Sequence, residues 1–240
     1  MNIIIDQGNS AAKVALFDEN ALVKVFHTEA LTEVFLDSII QEFKPEAGIL
    51  CSVKNLNEVD IAEHLKTLGA FYQLDYQLPI PLTIEYQTPQ TLGMDRVAAA
   101  VGGVSQKPAT NLLVIDIGTA ITIDYVSATG VYRGGNISPG VELRFKALSH
   151  FTGRLPFVHE QGDIPSLGYN TETAIRSGVI EGITRELDSY IDEYQKKQGI
   201  STFLTGGYTF YFESKLKNAI FADENLVLKG LNEILKYQQK

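Results

Sequence analysis

Residues 3–16, IIIDQGNSAAKVAL, and residues 113–126, LVIDIGTAITIDYV, share one pattern. In each, a β-branched run ends in Asp-x-Gly, and a small polar residue and a second β-rich run follow. This pattern predicts strand, tight loop, strand. Asp-Gly is also ordinary turn chemistry, so one copy is weak evidence. Two copies about 110 residues apart favour a duplicated functional unit.

The chemistry of these loops suits phosphate groups. Glycine permits positive φ and close approach of backbone N–H groups to an anion, and Asn, Ser or Thr side chains add donors. Asp6 supplies the negative charge that a divalent cation on phosphates requires. Lys13 either pairs with a phosphate or is a solvated lysine. Neither loop is a P-loop, because G-x-x-x-x-G-K-[ST] does not occur, and G-x-G-x-x-G is also missing.

Composition excludes several other classes of protein. The 240 residues carry a net charge of −9 with a pI near 5.0, which disfavours a nucleic-acid reader. Cys51 is the only cysteine, so no internal disulfide forms, and we expect a buried, inert thiol in a reducing compartment. In the opening MNIIIDQGNS the apolar run is only three isoleucines before an aspartate, too short for the hydrophobic region of a signal peptide, and no later run reaches about 18 apolar residues. We therefore expect a cytoplasmic protein without a membrane association.

Apolar spacing predicts the remaining elements. A loose domain boundary falls in the linker-like stretch 105–111, which predicts an N-terminal domain over 1–108 and a C-terminal domain over 109–240. Helices are predicted at residues 31–43, Leu56–Leu68, Met94–Val104 and Gly178–Lys197, strands at Gly48–Val53 and Thr202–Leu204, an extended or looped segment at 76–89, and a final strand and helix at Asn225–Tyr237.

Between the two Asp-x-Gly loops lies the segment EYQTPQTLGMDRVAAA, residues 85–100, in which an aspartate and an arginine are adjacent in sequence. One interpretation makes Asp95 a helix cap and Arg96 an exposed first-turn residue. Under the other, the Asp95 carboxylate accepts the proton of an attacking hydroxyl and the Arg96 guanidinium grips a substrate carboxylate.

The duplicated loops resemble those of the acetate and sugar kinase, Hsp70 and actin superfamily. That resemblance implies an α/β fold of two ribonuclease H-like domains with mixed sheets flanking an ATP cleft. Within this superfamily the chain is similar to the type III pantothenate kinases, also called the Bvg accessory factor family. The landmarks run in order through nearly the whole chain: Asp6–Ser10 with Lys13, Tyr86 with Gly93–Arg96, Asp116–Thr119, Gly134–Gly140, Asn170–Thr171 and Thr205–Gly207.

The resemblance implies a role for each landmark. The residues implied to bind ATP, with Mg2+ held near Asp6 through the phosphates, are Asp6, Gln7, Gly8, Asn9, Ser10, Ala11, Ala12, Lys13 and Thr119. Those implied to bind pantothenate are Tyr86, Gly93, Met94, Asp95, Arg96 and Thr171. Asp95 is implied as general base, Asp116 as ligand of a monovalent cation (K+ or NH4+), and Thr171 as a contact supplied across a homodimer interface. Gly134–Gly140 would shape the cleft floor, and Thr205–Gly207 would approach the nucleotide.

Two positions depart from the family pattern. Gln7 stands where an aliphatic residue is usual, and Ser10 stands where threonine is usual. Ser10 keeps the hydroxyl, and the Gln7 side chain need not face the nucleotide, so we expect both to be compatible with activity.

The function implied is transfer of the ATP γ-phosphoryl group to pantothenate, giving 4′-phosphopantothenate in the first step of coenzyme A synthesis. Two alternatives stay open: a non-catalytic regulatory protein of the same fold, and a superfamily kinase for a sugar, acetate or another small hydroxylated substrate.

Overall fold

The computed structural model describes residues 1–9, 11–53, 61, 65–66 and 68–240. The predicted helix over Leu56–Leu68 falls largely outside these residues, and Ser10 falls wholly outside them. The strands are β1 (Asn2–Gln7), β2 (Ala12–Asp18), β3 (Ala21–Thr28), β4 (Ala47–Ser52), β5 (Ala70–Gln73), β6 (Thr83–Ile84), β7 (Leu112–Ile117), β8 (Ala120–Val126), β9 (Val131–Pro139), β10 (Ser201–Thr205) and β11 (Phe221–Ala222). The α-helices are α1 (Glu33–Phe43), α2 (Met94–Gln106), α3 (Val141–His150), α4 (Thr171–Gln198), α5 (Thr209–Glu213) and α6 (Leu226–Gln238).

The first compact unit comprises residues 1–110, 126–134 and 225–240. Its mixed sheet has the order β3-β2-β1-β4-β5, with β1 antiparallel to β2 and parallel to β4. Ile3, Ile4 and Ile5 are fully buried, because β1 is central and both of its faces are covered. A continuous β-branched run is what such a strand requires.

Helices cover the two faces of this sheet. Side chains of α1, including Leu36 and Ile39, share one core cluster with Ile3 and Ile5. On the opposite face, α6 packs against β1 and β4 and also against α2. The two helices come very close, since a Cβ at Gly230 would lie 1.8 Å from the Ala98 carbonyl oxygen.

The second compact unit comprises residues 111–125 and 135–224. Strands follow the order β11-β10-β7-β8-β9, and β10 runs parallel to both β7 and β11. Its core joins α3 and α4 to the sheet through residues such as Ile115, Phe145 and Ile183. Helix α4 begins with a capping box, in which the Asn170 side chain and Thr173 satisfy each other's backbone N–H groups.

The structure confirms the opening hairpin and most of the predicted helices and strands. Helix α4 begins seven residues before Gly178, because Asn170 caps it there. The strand predicted within Asn225–Tyr237 is wrong: this stretch is helical, and its leucines and isoleucine bury at helical spacing, whereas β11 lies just before it. Among the described residues, no helix is long and apolar enough to cross a membrane.

Candidate functional site

Asp6 lies near the carboxyl end of β1, in a row of residues that crosses three strands. Its register partners are Lys13 on β2 and Cys51 on β4. Alternation along the strand places Asp6 on the same face as Asn2, whose side-chain amide donates to Asn232 Oδ1 of α6 at 3.0 Å. Asp6 therefore faces the helices α2 and α6.

Asp95 lies in the first turn of α2, and Gly93 is the N-cap residue. The Asp95 Oδ1 atom accepts the Arg96 backbone N–H at 2.9 Å. A Cβ at Gly93 would lie 2.5 Å from that oxygen, so glycine is needed for the carboxylate to take this position. Arg96 is only 6% exposed. The interpretation of this segment as an Asp cap followed by an exposed arginine is therefore wrong.

The carboxylates of Asp6 and Asp95 influence each other. The pKa of Asp6 is raised from 3.8 to about 6, first by burial and then by the charge of Asp95, while Lys13 opposes the shift. Burial, followed by the same two carboxylates, raises the pKa of the Cys51 thiol, which confirms a buried, neutral cysteine. A carboxylate whose pKa is raised by burial and by a second carboxylate suits a proton or a divalent cation.

Gln7, one of the two departures from the family pattern, points to the opposite face from Asp6. Its Oε1 accepts the Ser52 hydroxyl at 2.9 Å, and its carbonyl accepts the Val53 N–H at 3.1 Å. The polar side chain thus has a polar partner at the end of β4. The sequence analysis did not identify Ser52 as the partner of Gln7. Its position at the end of the next predicted strand could have indicated this pairing.

The glycines of the two Asp-x-Gly loops have neither the positive φ nor the available N–H groups that we expect of a phosphate-binding loop. Gly8 N–H donates to the Ala11 carbonyl and Gly118 N–H to the Ala120 carbonyl, both at 3.0 Å. Neither glycine has a positive φ. These N–H groups are used within their own turns, and the side chains of the exposed Asn9 and Thr119 are better placed to meet an anion.

Asp116 lies near the end of β7, in register with Thr205 on β10. Gly206 has a φ of +95°, and a Cβ there would lie 2.4 Å from Asp116 Oδ1. The backbone after β10 therefore passes directly over the carboxylate. Thr205 is fully buried, and its hydroxyl has no hydrogen-bond partner among the described residues. A carboxylate beside an unsatisfied hydroxyl oxygen is a donor set that suits a hard cation.

Two landmarks, Tyr86 and Gly134, are in contact. Gly134 has a φ of +96°, and a Cβ there would lie 3.2 Å from the Tyr86 ring. The ring of Tyr132 lies 6.4 Å away from that of Tyr86. Residues 134–139 belong to strand β9. Gly134 leaves room there for the ring of Tyr86, the side chain predicted to contact the substrate.

Thr171 is the exposed first residue of α4. It lines a cavity of about 760 Å3 whose walls are mainly apolar, among them Leu148, Ile175 and Val179, with Arg144 as the charged member. Sequence reasoning did not single out Arg144, because its partners lie on other elements.

Comparisons with known proteins identify the family to which the chain is similar. Residues 2–193 match the model of a family described as type III pantothenate kinase. A type III pantothenate kinase of Azobacteroides pseudotrichonymphae is 55% identical over 240 residues, covering 100% of this chain and 98% of the relative.

Solved structures extend the comparison to the fold. A conserved Campylobacter jejuni protein assigned to the Baf family of transcriptional activators has a TM-score of 0.64 and 28% identity, covering 99% of this chain and 98% of that one. A ROK family protein from Streptococcus pneumoniae has a TM-score of 0.51 and 11% identity, covering 99% of each chain, a likeness in fold alone. The predicted mixed α/β fold with two sheets is confirmed.

Proposed function

The chain belongs to the type III pantothenate kinase family, and from this membership we infer that it transfers the γ-phosphoryl group of ATP to pantothenate. The product is 4′-phosphopantothenate, and the step is the first of coenzyme A biosynthesis. A regulatory protein and a kinase for another substrate are not favoured, because the full-length relatives are named for this kinase.

The observation that carries the proposed mechanism is the coupled pair Asp6 and Asp95. Asp95 acts as general base: its carboxylate takes the proton of the pantothenate hydroxyl. The hydroxyl oxygen bonds to the γ-phosphorus, the bond from that phosphorus to the β,γ-bridging oxygen breaks, and ADP leaves. Repulsion between two nearby carboxylates favours uptake of one proton by the pair, which suits a base in this position.

The first loop and the start of α2 have separate tasks in this proposal. Asp6 would hold Mg2+ on the ATP phosphates, and the Lys13 ammonium would offset phosphate charge. A magnesium ion would supply charge neutralisation during phosphoryl transfer, and the Asp6 carboxylate, whose pKa is raised by burial and by a second carboxylate close to it, fits such an ion. Arg96 grips the pantothenate carboxylate, and Tyr86 packs against the substrate. The remaining contacts proposed for ATP are Asn9, Ser10, Ala11, Ala12 and Thr119, together with the backbone of Gln7 and Gly8, since the Gln7 side chain accepts from Ser52. Those proposed for pantothenate are Gly93 and Met94.

The second unit contributes a monovalent-cation site in this proposal. Asp116 is its charged ligand, and the buried Thr205 hydroxyl, which has no partner among the described residues, is an additional oxygen ligand. K+ and NH4+ both suit such a site. Gly206 keeps the strand end close to the carboxylate, so the ligand set is compact.

We also propose that the protein is a cytoplasmic homodimer. Thr171 is exposed beside a mainly apolar cavity, which suits a residue that reaches the substrate of a second copy. Sizing the protein in solution tests the dimer.

An assay of ADP release tests the function. MgATP is supplied with pantothenate or with a panel of sugars, with and without K+. We expect release only with pantothenate, and stimulation by K+. Absence of pantothenate-dependent release would overturn the proposal.

Asp95→Asn tests the proposed base. Turnover should fall by about 10²- to 10⁴-fold, while the affinity for MgADP changes by less than about twofold, because the backbone of α2 is kept. Asp18→Asn, an exposed position at the end of β2, is the matched control and should behave like the wild type. Retained turnover in Asp95→Asn would remove Asp95 as the base.

A further inference from the structure

Arg144, in the first half of α3, makes three hydrogen bonds with one planar guanidinium. Its Nε donates to the Pro139 carbonyl at 2.8 Å, and its Nη2 donates to the Ser138 hydroxyl at 2.8 Å and to Glu186 Oε2 of α4 at 2.5 Å. The Arg144 and Glu186 side chains are only 21% and 25% exposed. The nearby pair of Lys146 and Glu142 is 58% and 64% exposed. The Arg144 pair is therefore far less screened by solvent than an ordinary surface pair.

The segment that Arg144 holds ends at Gly140, which packs against the second Asp-x-Gly loop. Gly140 follows Pro139, and its N–H donates to the Thr119 carbonyl at 3.1 Å. A Cβ at Gly140 would lie 2.3 Å from the Gly118 carbonyl oxygen and 2.5 Å from that of Thr119. The backbone at Gly140 thus lies flush against the loop, and its position depends on residues 138 and 139.

We propose that Arg144, held by Glu186, is a positioning residue for Thr119. It ties the end of β9 to α4 and so fixes the backbone on which the Thr119 loop rests. This inference rests on the proposed role of Thr119 as a phosphate contact. The prediction is specific to arginine, because lysine presents a single nitrogen and cannot reproduce the fork that meets three acceptors on three residues.

The competing role for Arg144 is on the substrate side, since it also lines the cavity that includes Thr171. The two roles differ in which substrate they affect. Displacement of Thr119 weakens the contact with nucleotide, whereas disturbance around Thr171 weakens the contact with pantothenate. Separate KM values for the two substrates therefore decide between them.

The test uses the full chain with four variants: Arg144→Met, Arg144→Lys, Glu186→Gln and the control Arg185→Met. Arg185 lies next to Glu186 on α4, and its side chain is 71% exposed in a pair with Glu181. Affinity for MgADP is measured by calorimetry, and KM is measured for MgATP and for pantothenate. Near-UV circular dichroism checks that each variant is folded.

We expect Arg144→Met to weaken MgADP affinity and raise the KM for MgATP by about tenfold, because small misplacements of binding groups have large effects. The MgADP affinity and the KM for MgATP of Arg144→Lys should remain within about threefold of those of Arg144→Met. The values for Glu186→Gln should fall between those of Arg144→Met and those of the wild type. The KM for pantothenate should change by less than about twofold, and Arg185→Met should match the wild type.

Unchanged nucleotide affinity in a folded Arg144→Met, restoration by Arg144→Lys, or a shift confined to pantothenate would each overturn the inference. If Arg144→Met does not fold, Glu186→Gln decides, because it keeps the side-chain shape and removes only the charge. A wild-type protein that binds MgADP without pantothenate-dependent turnover would overturn the proposed function, and the calorimetric comparison would still test Arg144.

Discussion

Replacing Asp95 by Asn should lower the pKa of Asp6 in the protein free of metal and nucleotide. The pKa of Asp6 stands near 6 instead of 3.8, with burial as the largest cause and the charge of Asp95 as the second. Raising the pKa from 3.8 to about 6 corresponds to about 3 kcal/mol. Removing the second cause and keeping the first should bring the pKa below about 6 but leave it above 3.8.

The assay is titration of the carboxyl 13C chemical shift in protein labelled at aspartate, with Asp6 assigned through Asp6→Asn. Lys13→Met provides a test of opposite sign, because the Lys13 charge lowers the pKa of Asp6, and its removal should raise it. An Asp6 pKa that does not move in Asp95→Asn would refute the coupling. A fall all the way to 3.8 would refute burial as the larger cause.

The same shift sets a dependence of stability on pH. The folded protein binds the Asp6 proton more tightly than the unfolded chain does, so ionised Asp6 destabilises the fold at pH values above about 6. This cost, at most about 3 kcal/mol, disappears as the pH falls through about 6 towards 3.8. Asp6→Asn should therefore be more stable than the wild type at about pH 8 and lose that advantage at about pH 4, measured by urea unfolding. A stability difference independent of pH would contradict this.

Two glycine substitutions test close contacts in the first unit, each measured by urea unfolding against Gly153→Ala, where a Cβ meets nothing within 4 Å. Gly134 has a φ of +96°, and a Cβ there would lie 3.2 Å from the Tyr86 ring. Gly134→Ala should therefore lower the free energy of unfolding by about 1–3 kcal/mol and raise the KM for pantothenate. An unchanged KM would argue against Tyr86 as a substrate contact. Gly230→Ala, whose Cβ would lie 1.8 Å from the Ala98 oxygen, should cost about 3 kcal/mol or more by forcing α2 and α6 apart, and a loss as small as that of the control would show that these helices separate freely.

The paired Asp-x-Gly motifs made the fold predictable, because β-branched runs followed by turn residues specify strand and loop locally. Their sequence also marked Asp6 and Asp116. Local pattern did not reveal how the loop glycines are used, since the N–H of Gly8 bonds within its own turn. Nor did it reveal that Arg96 is buried, because burial there depends on how α2 packs against other elements.

The missed residues share one property, which is that their partners are distant in sequence. Ser52 explains the departure at Gln7 from 45 residues away, and Glu186 holds Arg144 from 42 residues away. A single sequence shows each residue type but not the pairing. The predicted domain division at residue 108 stays a prediction. Helix α6 is another distant partner, because it lies near the end of the chain and packs on β1 and β4 of the first sheet.

Three glycines in the family landmarks, Gly93, Gly134 and Gly206, have a common physical role that differs from the one expected of a phosphate loop. At Gly93 an added Cβ would meet the Asp95 carboxylate, at Gly134 the Tyr86 ring, and at Gly206 the Asp116 carboxylate. In each case the atom in the way belongs to a residue proposed to touch substrate or cation. These glycines therefore place functional side chains by leaving room for them, and alanine at such positions should impair binding at the neighbouring residue even where the fold survives.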